Sequence, residues 1–121
     1  MKVFINLSNH PSDKWSTVQR NAAQCYGRIV DIRFPQIEPD ADSKAIDKLV
    51  KEYLERLSCY EITAVMLQGE FVFTYRLVSE LKRRNVTVLS ACTRRVASES
   101  FSDSGTTLRE SEFAFVQFRE Y

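Results

Sequence analysis

The only histidine of the chain lies in a polar segment that follows an apolar run at residues 3–7. This segment, Ser8-Asn9-His10-Pro11-Ser12, carries hydroxyls, an amide and an imidazole, all of which can contact phosphate, ribose or base. An imidazole can also donate or accept a proton during catalysis. We therefore expect Ser8, Asn9 and His10 to contact a ligand, and His10 is a candidate catalytic residue. The alternative is that the hydroxyls and the amide only cap a helix and that His10 only stabilises a loop.

Two later segments carry polar side chains in a similar position. Gln68, Gly69 and Glu70 follow one apolar run, and Arg94 and Arg95 follow another. Gly69 has no Cβ, so a ligand can approach the backbone closely there. Guanidinium groups bind phosphate and stabilise the charge that develops on it, which makes Arg94 a second candidate catalytic residue. These segments are candidate parts of a phosphate-binding cleft; for Gln68, the alternative is that it only satisfies the end of a strand.

The spacing of apolar residues predicts the elements that position these side chains. Near-continuous apolar runs are typical of buried parallel strands, and they cover residues 2–7, 28–34, 63–67 and 86–91. Apolar stripes at helical spacing follow the first three strands, and Ser12 or Asp13 is expected to cap the first helix. The order βαβαβαβ predicts an α/β fold with a mostly parallel sheet and helices on both faces.

A change of pattern marks the end of the chain. Beyond Arg95 the sequence becomes extended, with a polar turn at Ser102-Asp103-Ser104-Gly105, which predicts a C-terminal antiparallel β-hairpin. A length of 121 residues suits one domain that spans residues 1–121. The stripes predict these core-facing side chains on the three helices: Trp15, Val18, Ala22, Cys25 and Tyr26; Ile46, Leu49, Val50, Tyr53, Leu54 and Leu57; Phe71, Tyr75, Val78 and Leu81.

The three polar segments are expected to meet at one edge of the sheet, because the carboxyl ends of parallel strands lie together there. Two of them lead into helices, whose first backbone N–H groups are free to bind an anion. The third brings Arg94 and Arg95. Together they predict a small phosphate-binding cleft.

Composition excludes several classes of protein. A net charge of +1 is too small for a surface that coats long nucleic acid, and no apolar stretch approaches the length of about 20 residues that a membrane helix needs. The three glycines form neither a dinucleotide-binding fingerprint nor a P-loop. With one histidine and three scattered cysteines, we expect no metal site and no cofactor. The chain enters a strand directly after Met1, so we expect no signal peptide and a cytoplasmic protein.

Four motifs together resemble a known family. They are Asn-His-Pro at residues 9–11, Leu-Gln-Gly-Glu-Phe at 67–71, Ala-Cys-Thr-Arg-Arg-Val at 91–96 and the closing Phe-Val-Gln-Phe-Arg-Glu-Tyr at 115–121. In this order they are similar to the small Csx-type proteins associated with type III CRISPR systems. The resemblance implies a Rossmann-like homodimer that binds cyclic oligoadenylate, with cyclic tetra-adenylate as the expected ring. It assigns the ligand contacts to Ser8, Asn9, His10, Gln68, Gly69, Glu70, Arg94 and Arg95.

Three functions follow as hypotheses. The first is a ring nuclease that cleaves cyclic oligoadenylate by metal-independent attack of a ribose 2′-hydroxyl and so switches off type III CRISPR signalling. The second is a sensor or sponge that binds the same messenger without cleaving it. The third is a protein-interaction domain that acts through the terminal hairpin, where Phe113, Phe115 and Phe118 would form the contact.

Overall fold

A computed structural model describes residues 1–101, 105 and 107–121, with side chains described for residues 1–97, 105 and 112–121. In chain order the elements are β1 (Lys2–Ser8), a short 3-10 helix (Ser12–Lys14), α1 (Thr17–Gln24), β2 (Arg28–Arg33), α2 (Ser43–Leu57), β3 (Glu61–Leu67), α3 (Phe71–Arg83), β4 (Thr87–Phe101) and β5 (Thr107–Glu120). None of the helices in this described part of the chain is long and apolar enough to cross a membrane.

The strands form one sheet in the order β2-β1-β3-β4-β5. β1 pairs in parallel with β2 and β3, and β3 pairs in parallel with β4. β4 and β5 pair antiparallel, as the sequence predicts for the C-terminal hairpin. The predicted α/β fold with a mostly parallel sheet is therefore confirmed. Of the predicted hairpin turn, residues 102–104 lie outside the described residues.

Successive side chains of β1 point to opposite faces of the sheet, so this strand contributes to the core on both faces. Val3, Ile5 and Leu7 face α2 and α3, and they belong to one apolar cluster. Phe4 faces the opposite side, where it packs with Trp15 and with Ala23 of α1. Helices therefore cover both faces, with α2 and α3 on one face and α1 on the other.

Helix α2 packs as its sequence pattern predicts. Asp42 caps it by accepting a hydrogen bond from the N–H of Ala45 at 2.9 Å, as short polar side chains commonly do at helix starts. Its predicted stripe is buried, apart from the half-buried Leu49.

The predicted core face of α3 is wrong for two of its four residues. Phe71 and Tyr75 are 89% and 75% exposed, whereas Phe73, Leu77 and Leu81 face the core. Apolar side chains occur on both sides of this helix, so the periodicity alone could not choose between them. The choice is made by Phe73, whose ring packs edge-on against two other aromatic rings of the core.

The start of α1 also differs from the prediction. The helix begins at Thr17, and Ser16 caps it by accepting a hydrogen bond from the N–H of Gln19 at 3.2 Å. Ser12 lies in the 3-10 helix instead, because its N–H and hydroxyl are bound to the carboxylate of Asp31. As a result the predicted stripe shifts, and Val18 is 61% exposed.

The third polar segment, which carries Arg94 and Arg95, was expected to follow the end of a strand but lies within β4. β4 runs from Thr87 to Phe101 and pairs with β5 from Leu89 to Phe101, with a shift of register between Cys92 and Thr93. The prediction ended the strand at Ala91 because the apolar run ends there. Cross-strand hydrogen bonds to β5 continue regardless of side-chain polarity, so the strand extends past the edge of the parallel sheet.

Candidate functional site

A hydrogen-bonded network holds the turn after β1. Asn6 is 1% exposed, and its amide nitrogen donates to the carbonyl oxygen of His10 at 2.8 Å and to Asp31 Oδ1 at 2.9 Å. The hydroxyl of Ser8 donates to Asn6 Oδ1 at 2.7 Å and accepts from the N–H of His10 at 3.2 Å. Buried polar groups that satisfy one another in this way give a single defined turn. The predicted ligand contact Ser8 is therefore 6% exposed, with its hydroxyl used inside the turn.

Trp15, a core residue on the α1 face of the sheet, also holds the turn after β1. The indole Nε1 of Trp15 donates to the carbonyl oxygen of His10 at 3.1 Å. All the hydrogen bonds described for His10 use its backbone N and O atoms, and its side chain is exposed. The turn thus fixes the backbone of His10 and leaves the imidazole for a ligand.

Gln68, in the turn after β3, forms hydrogen bonds with the neighbouring strands β1 and β4. Its backbone N–H donates to the carbonyl oxygen of Leu7 at 3.3 Å, and its Oε1 accepts from the N–H of Ala91 at 2.7 Å. The side-chain oxygen therefore satisfies a backbone N–H of β4, and not the end of β3 that the alternative for this residue named. The amide nitrogen remains as a donor for a ligand.

Gly69 and Glu70 serve the packing of α3. A Cβ placed on Gly69 would lie 2.3 Å from ring atoms of Phe34, so the missing side chain makes room for this ring rather than for a ligand. The carboxylate of Glu70 accepts hydrogen bonds from the N–H groups of Val72 and, at 3.0 Å, Phe73. The start of α3, expected to offer free N–H groups to a phosphate, is thus already capped by a carboxylate of the chain itself.

Arg94 and Arg95 lie on opposite faces of the β4–β5 ribbon. Arg95 pairs with Phe113 and Arg94 with Ala114. Side chains directly opposite each other share a face, and successive ones alternate. Arg95 therefore lies on the same face as Phe113, whereas Arg94 lies on the reverse face.

A cleft of about 500 Å³ opens on the α1 face beside the turn after β1. It lies at the point where the chain direction across the sheet reverses between β1 and β3, the usual ligand position in open α/β sheets. Its volume falls within the range of about 300–1,000 Å³ that small-molecule sites occupy. We call it the histidine cleft. It is lined by Asn9, His10, Pro11, Lys14, Trp15, Ser16, Gln19, Met66, Gln68, Ala91, Thr93, Phe113 and Phe115.

Sequence reasoning did not place Lys14, Phe113 or Phe115 at the histidine cleft. Lys14 reaches the cleft because the 3-10 helix, rather than a longer α-helix, follows the turn after β1. Phe113 and Phe115 reach it because β5 folds back beside β4. Phe113 is 72% exposed, so its ring is a free surface on which a base can stack. Only the pairing of β4 with β5 brings these rings to the cleft.

A second cleft, of about 750 Å³, lies on the other side of Asn9, toward α2. We call it the arginine cleft. It is lined by Asn9, Arg33, Phe34, Pro35, Gln36, Ile37, Tyr53, Arg56 and Glu70. Among the residues with described positions, no group of three or more His, Cys, Asp and Glu side chains could hold a metal ion.

Comparison with known proteins matches nearly the whole chain. The family model described as "Uncharacterized protein MJ1673 family" matches residues 2–119. "Uncharacterized protein MJ1673" of Methanocaldococcus jannaschii is 32% identical over 88 residues, which cover 70% of this chain and 65% of that protein. The chain thus spans a little less than two thirds of the length of this relative.

Proposed function

The chain belongs to the MJ1673 family, and we propose that it binds cyclic oligoadenylate in the histidine cleft and opens the ring without a metal ion. One observation carries the proposal: the cleft gathers an imidazole, an ammonium group, three amide side chains and three aromatic side chains at the switch point of the sheet. Aromatic rings stack bases, and cationic groups bind the phosphates between them. Loss of the ring would end signalling in a type III CRISPR system.

The proposed reaction uses the ribose as its own nucleophile. The 2′-hydroxyl attacks the adjacent phosphorus, the bond from phosphorus to the 5′-oxygen breaks, and a linear product with a 2′,3′-cyclic phosphate results. His10 takes the proton of the 2′-hydroxyl and gives it to the departing 5′-oxygen. Lys14, which lines the cleft, stabilises the charge on the phosphate, and stacking on Phe113 holds the reacting groups in line. Arg95 lies on the same face of the sheet as Phe113 but does not line the cleft. Arg94, on the reverse face, takes no part in this scheme.

We propose a homodimer as the form that binds the ring. A cyclic tetra-adenylate has two-fold symmetry, and two identical clefts related by a two-fold axis match it. An exposed apolar patch on α3, formed by Phe71, Val72 and Tyr75, supplies a contact surface. These side chains are 89%, 46% and 75% exposed. Light scattering across the micromolar range tests the dimer: it should be present, and Phe71→Ser with Tyr75→Ser should give monomers.

A protein that binds the ring without cleaving it is the second candidate. It is favoured by the contacts of His10, which hold its backbone and not its imidazole. A general base is usually oriented by a partner, so an unoriented ring suits binding better than proton transfer. The hairpin as a docking surface is less favoured, because Phe118 packs on Phe4 with ring centroids 5.2 Å apart.

The decisive experiment incubates the protein with cyclic tri-, tetra- and hexa-adenylate in EDTA and follows the products by mass spectrometry. We expect linear products from at least one ring. His10→Ala should lower the rate at least about 100-fold while affinity changes little, because the turn uses only the backbone of His10. Lys14→Gln should weaken binding, and Lys51→Gln, an exposed lysine on α2, is its matched control.

Each outcome decides between the candidates. A ring that binds and survives prolonged incubation with excess protein supports the non-cleaving binder and contradicts the nuclease. Absence of binding for all three rings contradicts both proposals.

A further inference from the structure

We propose that the arginine cleft is a separate binding site for a small phosphate monoester that carries ribose hydroxyls, such as a sugar phosphate or a nucleoside monophosphate. It lies at the carboxyl ends of β1, β2 and β3, on the face that α2 and α3 cover. None of the predicted ligand contacts except Asn9 and Glu70 lines it. With about 750 Å³ it is also larger than the histidine cleft.

Two guanidinium groups supply the positive charge of this site. Arg33 ends β2, and Arg56 lies in the last turn of α2. Neither of them forms an ion pair with any carboxylate among the described side chains. Guanidinium groups present paired N–H donors that fit two phosphate oxygens at once, so two of them suit a doubly charged monoester.

A single core tyrosine connects both arginines. The guanidinium carbon of Arg56 lies 4.7 Å from the ring centre of Tyr53, as in a cation–π contact. The hydroxyl of Tyr53 donates to the backbone carbonyl oxygen of Arg33 at 3.0 Å. Tyr53 is 7% exposed, so it is a rigid support. Tyr53 therefore positions the guanidinium of Arg56 and the backbone of Arg33 before a ligand arrives, which lowers the entropy cost of binding.

Glu70 determines which phosphate compound fits. One of its oxygens is bound to the start of α3, and the carboxylate also lines the arginine cleft. Its negative charge disfavours a bare anion, while its free acceptor capacity suits a hydroxyl donor. Carboxylates commonly accept the ribose hydroxyls of nucleotides in α/β sheets. The combination of two arginines with one glutamate therefore favours a phosphate ester of ribose over inorganic phosphate.

This site does not depend on the function proposed for the histidine cleft. Arg33, Arg56 and Tyr53 do not line the histidine cleft, and His10, Lys14 and Phe113 do not line the arginine cleft. Binding at the arginine cleft can therefore be measured whether or not the chain cleaves cyclic oligoadenylate.

Calorimetric titration with ribose 5-phosphate tests the proposal, with inorganic phosphate and ribose as comparison ligands. We expect ribose 5-phosphate to bind, ribose not to bind, and inorganic phosphate to bind at least about tenfold more weakly. Arg33→Gln and Arg56→Gln should each weaken binding at least about tenfold. Arg84→Gln, which removes the same charge at the far end of α3, should leave binding unchanged. His10→Ala should also leave it unchanged.

A further variant tests the selectivity. Gln can accept the same hydrogen bonds at the start of α3, so Glu70→Gln should retain the fold and bind inorganic phosphate more tightly. Thermal melting of every variant identifies any that fail to fold, and Arg56→Lys then replaces Arg56→Gln, with weaker binding still expected. Absence of binding to the wild-type protein, or equal binding by Arg33→Gln and Arg84→Gln, would overturn the proposal.

Discussion

The indole nitrogen of Trp15 donates a hydrogen bond to the backbone carbonyl oxygen of His10, with the two atoms 3.1 Å apart. Trp15 is 8% exposed, and its ring lies edge-on to Phe4, with ring centroids 6.3 Å apart. The core of the α1 face and the turn that carries the imidazole are therefore joined by one side chain. A change in this core side chain reaches the histidine cleft directly.

Trp15→Phe should lower the free energy of unfolding by about 1–3 kcal/mol, because it removes one hydrogen bond and some buried area while retaining an aromatic ring. Urea denaturation measures the change. Tyr26→Phe is the matched control, since Tyr26 also packs on Phe4, at 5.8 Å, and keeps its ring in the variant. We expect the control to cost less than about 0.5 kcal/mol. Equal losses for the two variants would show that the hydrogen bond contributes nothing.

Asp31→Asn should destabilise the protein by about 1–2 kcal/mol. Its carboxylate accepts hydrogen bonds from Asn6 Nδ2 and from the N–H and hydroxyl of Ser12, and an amide can replace only part of this acceptor capacity. Asp47→Asn is the control, because Asp47 pairs with Arg76 at 3.0 Å while 61% of its side chain is exposed. Exposed pairs contribute about 0–1 kcal/mol. A larger loss for Asp47→Asn in chemical denaturation would contradict the importance of the turn network.

Gly69→Ala should cost about 1–3 kcal/mol, because the new Cβ would lie 2.3 Å from the buried ring of Phe34. A double-mutant cycle with Phe34→Leu tests this cause. The smaller side chain leaves room for the Cβ, so the alanine should cost less in that background than in the wild type. Additive losses in the cycle would mean that the two residues do not compete for space.

Alkaline pH should weaken the fold through Tyr121. Its hydroxyl donates to the carbonyl oxygen of Leu67 at 2.7 Å. Burial raises the pKa of Tyr121 above its ordinary value of about 10, and a hydrogen bond with Ser90 partly offsets this increase. The folded protein thus holds this proton more tightly than the unfolded chain does. The stabilisation is complete below about pH 10 and is lost as the pH rises through the folded-state pKa.

Denaturation curves between neutral and alkaline pH measure this effect. Tyr121→Phe should be less stable than the wild type at neutral pH, and its stability should fall less with rising pH. Tyr60→Phe, at a tyrosine that is 39% exposed, is the control and should keep the alkaline loss of the wild type. The expectation fails if Tyr121→Phe and the wild type lose stability in parallel.

Local patterns in the sequence predict most of the architecture. The runs that form β1 and β3 and the stripe on α2 depend on neighbouring residues in the chain, and their periodicity is visible without any tertiary contact. Because parallel strands end at a common edge, their order also brings the turns that contain His10 and Gln68 together. Both residues line the histidine cleft.

Only the tertiary structure decides which side chains share a cleft. The pairing of β4 with β5 continues past Ala91, separates Arg94 from Arg95 by strand alternation, and brings Phe113 to the cleft. Packing of Phe73 against Phe34 turns Phe71 outward. Strand pairing and aromatic packing join residues that are far apart in the chain, so no local periodicity carries this information. The sequence by itself therefore determined the order of elements and the edge of the sheet where the turns meet, and the long-range contacts determined the two clefts.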